Sequence, residues 1–256
     1  MLNGMFAFVF HDREHNRWIA ARDHFGIKPL YYSALEHELI FGSEIKALLQ
    51  HPEIKAARDG QGLHQYLALQ FCLDDRTLFA GIRKIRPGHF LVGKGSVIES
   101  DRCYWDTDYQ IDQYHTEVYF NDQLRTLLED TMRLQLRADV PVGCYLSGGI
   151  DSSLVSSLAS RSTDLPMPMF HGRFAEGSEY DESSHAKALV AFTQGAYHEV
   201  VPTAEQFVDQ LPDLIYALDE PLAGPGLFPQ YSVSKLAREH VTVVLGGQGG
   251  DEIFGG

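Results

Sequence analysis

The residues best suited to chemistry lie in the run Val142-Gly143-Cys144-Tyr145-Leu146-Ser147-Gly148-Gly149-Ile150-Asp151-Ser152-Ser153. An apolar stretch empties into two adjacent glycines, and an acid and two hydroxyls follow at once. Without Cβ atoms, Gly148 and Gly149 let the backbone turn sharply and approach a ligand closely. Ser152 and Ser153 fit the first turn of a helix whose buried stripe is expected at Leu154, Val155 and Leu158. The free N–H groups and positive dipole end of that helix favour an anion. Asp151 would repel phosphate by itself, so it reads as a ligand for Mg2+ carried by a nucleotide. The plain alternative is a tight strand-to-helix turn.

A second glycine-rich run, Gly246-Gly247-Gln248-Gly249-Gly250-Asp251-Glu252-Ile253-Phe254-Gly255-Gly256, follows the apolar stretch Thr242 to Leu245. It reads as a loop whose glycines permit close approach and whose Asp251 and Glu252 offer carboxylates to a metal or a cationic group. In open α/β sheets, ligands collect beyond the carboxyl ends of the strands. The two loops are therefore expected to face one crevice.

The elements that must position these loops follow from periodicity. Phe120, Leu124, Leu127, Leu128 and Thr131 define an amphipathic helix. Beyond the first loop come strand Pro168–Phe174, helix Tyr180–Gln194, strand His198–Val201, helices Thr203–Leu218 and Pro229–Glu239, and strand Val241–Leu245. This alternation predicts a parallel sheet with helices on both faces. The first hundred residues differ. Leu2–Phe10 reads as a strand buried on both faces, and Trp18–Ala21 as a second, with His11–Arg17 as the turn. Gly26 and Pro29 mark a turn, after which Leu30–Tyr32 and Leu39–Gly42 are strands. Ser43 is expected to cap a short helix over Glu44–Leu49. His64–Leu69 looks helical, and Ile85–Val92 is a turn entering a strand. Residues 99–116, polar and aromatic, read as a linker.

Composition limits the possibilities. With 256 residues, 44% of them hydrophobic, the chain allows one large domain or two small ones. A formal charge of −14 argues against a general nucleic-acid or anionic-membrane binder. Cys72, Cys103 and Cys144 are scattered without a CxxC pair. Neither a zinc site nor a disulfide framework is expected. With no signal peptide and no apolar run of membrane-span length, the chain reads as soluble and cytoplasmic.

Ser147 to Ser152 lacks the lysine and spacing of a Walker A loop and resembles the pyrophosphate loop of ATP pyrophosphatases. Together with Arg22-Asp23 through Tyr32, Gly42–Leu49, Asp219-Glu220-Pro221 and Gly246–Gly256, it resembles glutamine-dependent asparagine synthetases over almost the whole chain. The resemblance implies an α/β chain with two domains. Residues 1–98 would be part of an αββα sandwich of the N-terminal nucleophile hydrolase type, a glutaminase. Residues 117–256 would be part of a parallel-sheet ATP-pyrophosphatase domain, the synthetase, with 99–116 as the linker. It also implies ATP and Mg2+, with aspartate and glutamine or ammonia as small-molecule partners; a homodimer stays open. Ser147, Gly148, Gly149, Ile150, Asp151 and Ser152 would hold the phosphates, and Tyr145, Leu146 and Gly172 would line adenine and ribose. Gly246 and Gly247 would close over the nucleotide, Asp151 and Asp251 would hold the metal, and Gln248 and Asp251 would stand at the reacting centre.

Three departures from the family pattern qualify this picture. Residue 1 is Met where the family's glutaminase nucleophile is an N-terminal cysteine, and no acid precedes Asp12. The later synthetase helices find no counterpart. Gln248 stands where the family usually carries glutamate. The first two lead to the expectation of an internal segment of a longer enzyme. The third favours a paralogue that amidates another carboxylate or closes a β-lactam ring. A non-catalytic ATP-binding fragment and a tRNA-modifying enzyme are the remaining readings.

Overall fold

In a computed structural model, described for residues 2–173, 181–222, 224 and 226–255, the chain divides into two units. One contains Met1–Ile111 and Ile215–Ala223, the other Asp112–Leu214 and Gly224–Gly256.

The first unit holds two antiparallel sheets. The larger has the order β1-β2-β6-β7, with β1 Ala7–Asp12, β2 Arg17–Arg22, β6 His89–Lys94 and β7 Val97–Cys103. The smaller has the order β4-β3-β5, with β3 Tyr31–Ala34, β4 Leu39–Gly42 and β5 Ile82–Lys84. Period-2 alternation sorts the side chains of the smaller sheet. Tyr32, Leu39 and Phe41 pack with Trp18, Ala20 and Leu91 of the larger sheet. Tyr31, Ile40 and Ile82 pack with Ile45 and Leu48 of helix α1, Ile45–Leu48. This makes a sheet–sheet–helix sandwich, the partial αββα arrangement expected from the sequence.

Several expectations for this unit need correction. Leu2–Phe10 is not a strand buried on both faces. Strand β1 starts at Ala7 on the edge of its sheet, and Phe10 is 63% exposed. Ser43 does not cap α1. Its first amides, Ile45 N–H and Lys46 N–H, donate to the Asp219 carboxylate at 2.6 and 3.1 Å. Helix α2, Gly60–Leu69, begins four residues before the apolar pattern, because Asp59 accepts the Gly62 N–H at 2.6 Å and caps it. Residues 99–103, read as linker, are the outer part of β7, and β5 is too short to carry a periodic signal.

The second unit is built on a parallel sheet ordered β10-β9-β8-β11, with β8 Val142–Tyr145, β9 Pro168–Gly172, β10 Ala196–Val200 and β11 Val243–Leu245. Helices α3 Glu117–Gln135, α4 Ile150–Arg161 and α5 Ser183–Thr193 alternate with its strands, and α6 Ala204–Leu218, whose last residues from Ile215 belong to the first unit, and α7 Leu227–Arg238 lie between β10 and β11 in the chain. Cys144, Leu146, Met169 and Leu245 form one core with Met132, Ala159 and Ala186 of α3, α4 and α5. Alternate residues Tyr145, Phe170 and Val244 form another with Val233 and Ala237 of α7. Both faces are covered, as the alternation of elements predicted.

The expected stripes shift. In α4 the fully covered positions are Ser152, Ser156 and Ala159; Val155 and Leu158 pack beside them, and Leu154 is exposed. In α3 the inward edge is Leu128, Thr131 and Met132, while Phe120, Leu124 and Leu127 are exposed. The second glycine-rich run is not all loop, since Gly250–Phe254 forms the short helix α8. Phe174 and Tyr180 of the expected strand and helix, with Gly256, lie outside the described residues.

Candidate active site

Strands β8 and β11 pair in parallel, with Cys144 opposite Leu245. Their carboxyl ends therefore release the two glycine-rich loops side by side. The approach is close: a Cβ on Gly247 would lie 2.7 Å from Ser152 N, and one on Gly250 would lie 2.3 Å from Asp151 Oδ2. Any side chain at Gly247 would push the second loop away from the start of α4.

The first loop is organised by its own hydroxyls. Ser152 Oγ donates to Gly149 O at 3.1 Å, so its lone pairs accept the Ser147 N–H at 3.2 Å and the Ser147 hydroxyl at 2.8 Å. Ser147 Oγ in turn accepts the Gly149 N–H at 3.1 Å. Both serines thus act as scaffold, and the site's anion-attracting groups are the remaining first-turn amides. Gly149 is the N-cap of α4 without a side-chain cap. Among the described residues, the Gly148, Ile150 and Asp151 amides find no acceptor, as the opening turn of a helix dictates. Gly148 sits at φ 101°, and a Cβ there would meet Glu182 O at 2.7 Å.

Two cavities open around this loop. A cleft of ≈ 780 Å3 is lined by Ser147, Gly149, Ile150, Asp151, Ser152, Glu182, Gly250 and Asp251, with apolar walls from Leu124, Leu154 and Phe254. A slot of ≈ 230 Å3 is lined by Tyr145, Leu146, Ser147, Phe170, Gly172, Glu182, Pro229, Gln230 and Val233, among others. Ser147 and Glu182 belong to both. The residues expected from sequence are thereby sorted. Tyr145, Leu146 and Gly172 line the slot, whereas Gly149, Ile150, Asp151, Ser152 and Asp251 line the cleft. Gly148, Gly246 and Gly247 shape the backbone behind them. Gln248 is exposed and lines neither cavity; its amide oxygen lies 2.1 Å from where a Cβ on Gly246 would be.

Glu182 and Gln230 escaped the sequence reading. Neither belongs to a motif, and both reach the site only through the packing of α5 and α7 against the sheet. His171 is a third such residue. It is 1% exposed and donates from Nδ1 to Leu146 O at 2.7 Å, and among the described residues its buried Nε2 has no partner.

The electrostatics of the cleft are one-sided. Among the described residues, Asp151, Glu182 and Asp251 are its ionisable lining groups, and no lysine or arginine joins them. A polyphosphate entering here needs added positive charge. Among the described residues no three His, Cys, Asp or Glu side chains gather into a metal-holding group. The carboxylates of Asp151 and Asp251, both lining the cleft, nevertheless suit Mg2+, which commonly takes one or two carboxylates and completes its shell with phosphate oxygens and water.

The asparagine synthase family model matches residues 123–256, and a glutamine amidotransferase domain model matches residues 1–105. The chain is 34% identical over 256 residues to asparagine synthetase [glutamine-hydrolyzing] 1 of Bacillus subtilis. It is 36% identical over 269 residues to a putative asparagine synthetase [glutamine-hydrolyzing] of Mycobacterium bovis, and 33% identical over 278 residues to amidase chry2 of Gibberella zeae. Each alignment covers 100% of this chain and 40% of the relative. The parallel sheet, the paired glycine-rich loops around Asp151 and the extent of these matches lead to one assignment: the chain belongs to the asparagine synthase family.

Proposed function

We propose that this chain is the part of an ATP-dependent carbon–nitrogen ligase that binds the nucleotide and activates a carboxylic acid by adenylation, releasing pyrophosphate. The observation that carries this reading is the joining of the two loops around Asp151, beside a helix start without a side-chain cap and a slot lined by Tyr145, Leu146 and Gly172. The nucleoside would enter the slot against Tyr145, Leu146 and Gly172. The phosphates would lie in the cleft under the free amides of Gly148, Ile150 and Asp151. Ser147 and Ser152 hold those amides in place, so the loop needs little rearrangement when the nucleotide arrives. Asp151 and Asp251 would hold Mg2+, which when bound neutralises charge between the phosphates and the incoming carboxylate. Gly247 keeps the second loop against the first, aligning acceptor and α-phosphate.

The amide acceptor we infer is aspartate, giving asparagine, AMP and pyrophosphate, with glutamine as the nitrogen donor. Similarity to the Bacillus and Mycobacterium relatives supports the first, and the match of residues 1–105 to a glutamine amidotransferase domain supports the second. One observation favours a different acceptor. Gln248, a neutral amide folded onto its own turn, cannot do the electrostatic work of a carboxylate at that position, and one relative is described as an amidase. Pyrophosphate release measured with aspartate and with a panel of other carboxylic acids separates the two. In either case Asp151→Ala is expected to abolish release; unchanged release would remove Asp151 from the site.

A further inference from the structure

His198 and His240 stack with Phe170 on the α7 side of the parallel sheet. The two imidazole centroids are 4.0 Å apart with their planes at 38°, and the Phe170 ring lies 5.2 Å from His198 and 5.9 Å from His240. Phe170 is fully buried, His198 on β10 is half-buried, and His240, just past the end of α7, is exposed. His15, His37, His51, His89 and His115 each stand beside a carboxylate. Among the described residues, no acid lies within ion-pair distance of His198 or His240. Strand β9 turns Pro168 and Phe170 to this face, neither of them ionisable. Helix α7 carries Lys235 and Arg238, with Glu239 after them, all exposed. Helix α5 packs on the opposite face, where Lys187 and Arg173 engage Glu199.

Neutral imidazoles stack as aromatic rings do. A single proton is tolerated, since His240 stands at a helix carboxyl end, where a cation is favoured, and the neighbouring rings offer it their faces. A second proton puts like charges on adjacent rings with no acid to offset them. We propose that His198 and His240 form a pH-sensitive latch, which holds the carboxyl end of α7 on β10 and opens when both rings are charged. Burial, and after it the charge of His240, holds the His198 pKa below the ordinary imidazole value. Stability from this contact is therefore present above that value, about 6.5, and is lost as pH falls below it. Pro229, Gln230 and Val233 of the same helix line the slot, so an open latch loosens one of its walls. This holds whatever the slot binds.

The test is amide hydrogen exchange of the full chain at about pH 7.5 and about pH 5, corrected for the intrinsic exchange rate, with His240→Gln and His198→Phe as variants. The Glu239, His240 and Val241 N–H groups donate to the carbonyls of Leu236 and Ala237 and report on the end of α7. In the parent chain their protection is expected to fall roughly tenfold at the lower pH. Neither variant can carry two charges on the pair, and each should change by less than about twofold. The amides of α4, on the other face of the sheet, should keep their protection in all three chains. Unchanged protection in the parent overturns the latch. So does an equal fall in either variant, which would place the pH response elsewhere. A matching loss in α4 would mean that the whole unit opens, and it overturns the latch as well.

Discussion

Asp23 shows how a residue marked by sequence acquires its meaning from its partners. It is 2% exposed, and its carboxylate accepts the Phe6 N–H at 3.2 Å and the Ile27 and Lys28 N–H groups at 2.9 Å each. Burial pushes its pKa up, but the three amide donors outweigh it and hold the group below the usual carboxylate range. Beside it the Arg22 guanidinium donates to the carbonyls of Gly26, Lys28 and Ile85. The Arg22–Tyr32 segment is thus a scaffold: an acid and a base satisfy the polar backbone of a turn that makes no regular ladder. Asp23→Asn is expected to destabilise the fold by about 3 kcal/mol despite its equal size, because an amide N–H2 would then face amide donors. Denaturant unfolding measures this, and a loss below about 1 kcal/mol would contradict the scaffold role. The residue types of this segment were legible in sequence. Their partners were not, since Phe6 and Ile85 lie outside the segment.

Helix α1 makes the same point at the scale of an element. Four residues are too few to hold a helix by propensity. It is held by the Asp219 carboxylate at its N-terminus, by Lys46 Nζ at 2.9 Å from that carboxylate, and by Ile45 and Leu48 in the core. The next residue, Glu220, accepts the Leu78 N–H at 2.5 Å. Burial raises the Glu220 pKa, with Asp219 adding to the rise and the Leu78 N–H and Lys84 only partly opposing it. The sign follows from linkage. A carboxyl whose pKa is higher in the folded state adds stability that is present below its unfolded value, about 4.3, and is lost as pH rises through the folded value. Glu220→Gln keeps the acceptor for Leu78 and removes the charge. It should match the parent at pH 4 and melt higher at pH 7. A variant that melts lower at pH 7 would mean that the charged bond to Leu78 outweighs the cost of burial. The apolar period of α1 was readable from Ile45 and Leu48, whereas its cap was not, because Ser43 is the nearer candidate in sequence and Asp219 lies 174 positions away.

Over the whole molecule, the contact pattern assigns Ile215–Ala223 to the unit of the first 111 residues. No reading of consecutive segments finds such an exchange. The excess of 35 acidic over 21 basic residues is a property of the entire surface. It predicts that the chain retains no tRNA in filter binding at about 50 mM salt, where phosphate contacts are strongest. Retention that weakens steeply with added salt would revive a nucleic-acid substrate.

Local chemistry was sufficient to find the two glycine-rich loops and the alternating elements of the second unit, while the sandwich of the first was expected only from the family resemblance. Each depends on residue types within a few positions of one another: glycines where backbone must come close, hydroxyls at a helix start, apolar residues at period 2 or 3.6. The fold decided what those residues do. It made Ser147 and Ser152 internal braces, turned Gln248 onto Gly246, and brought Glu182 and Gln230 to the cavities. It also joined the Tyr145 hydroxyl to that of Ser234, 89 positions away. Hydrogen bonds and close packing act between neighbours in space, and only the folded chain sets which distant residues become neighbours.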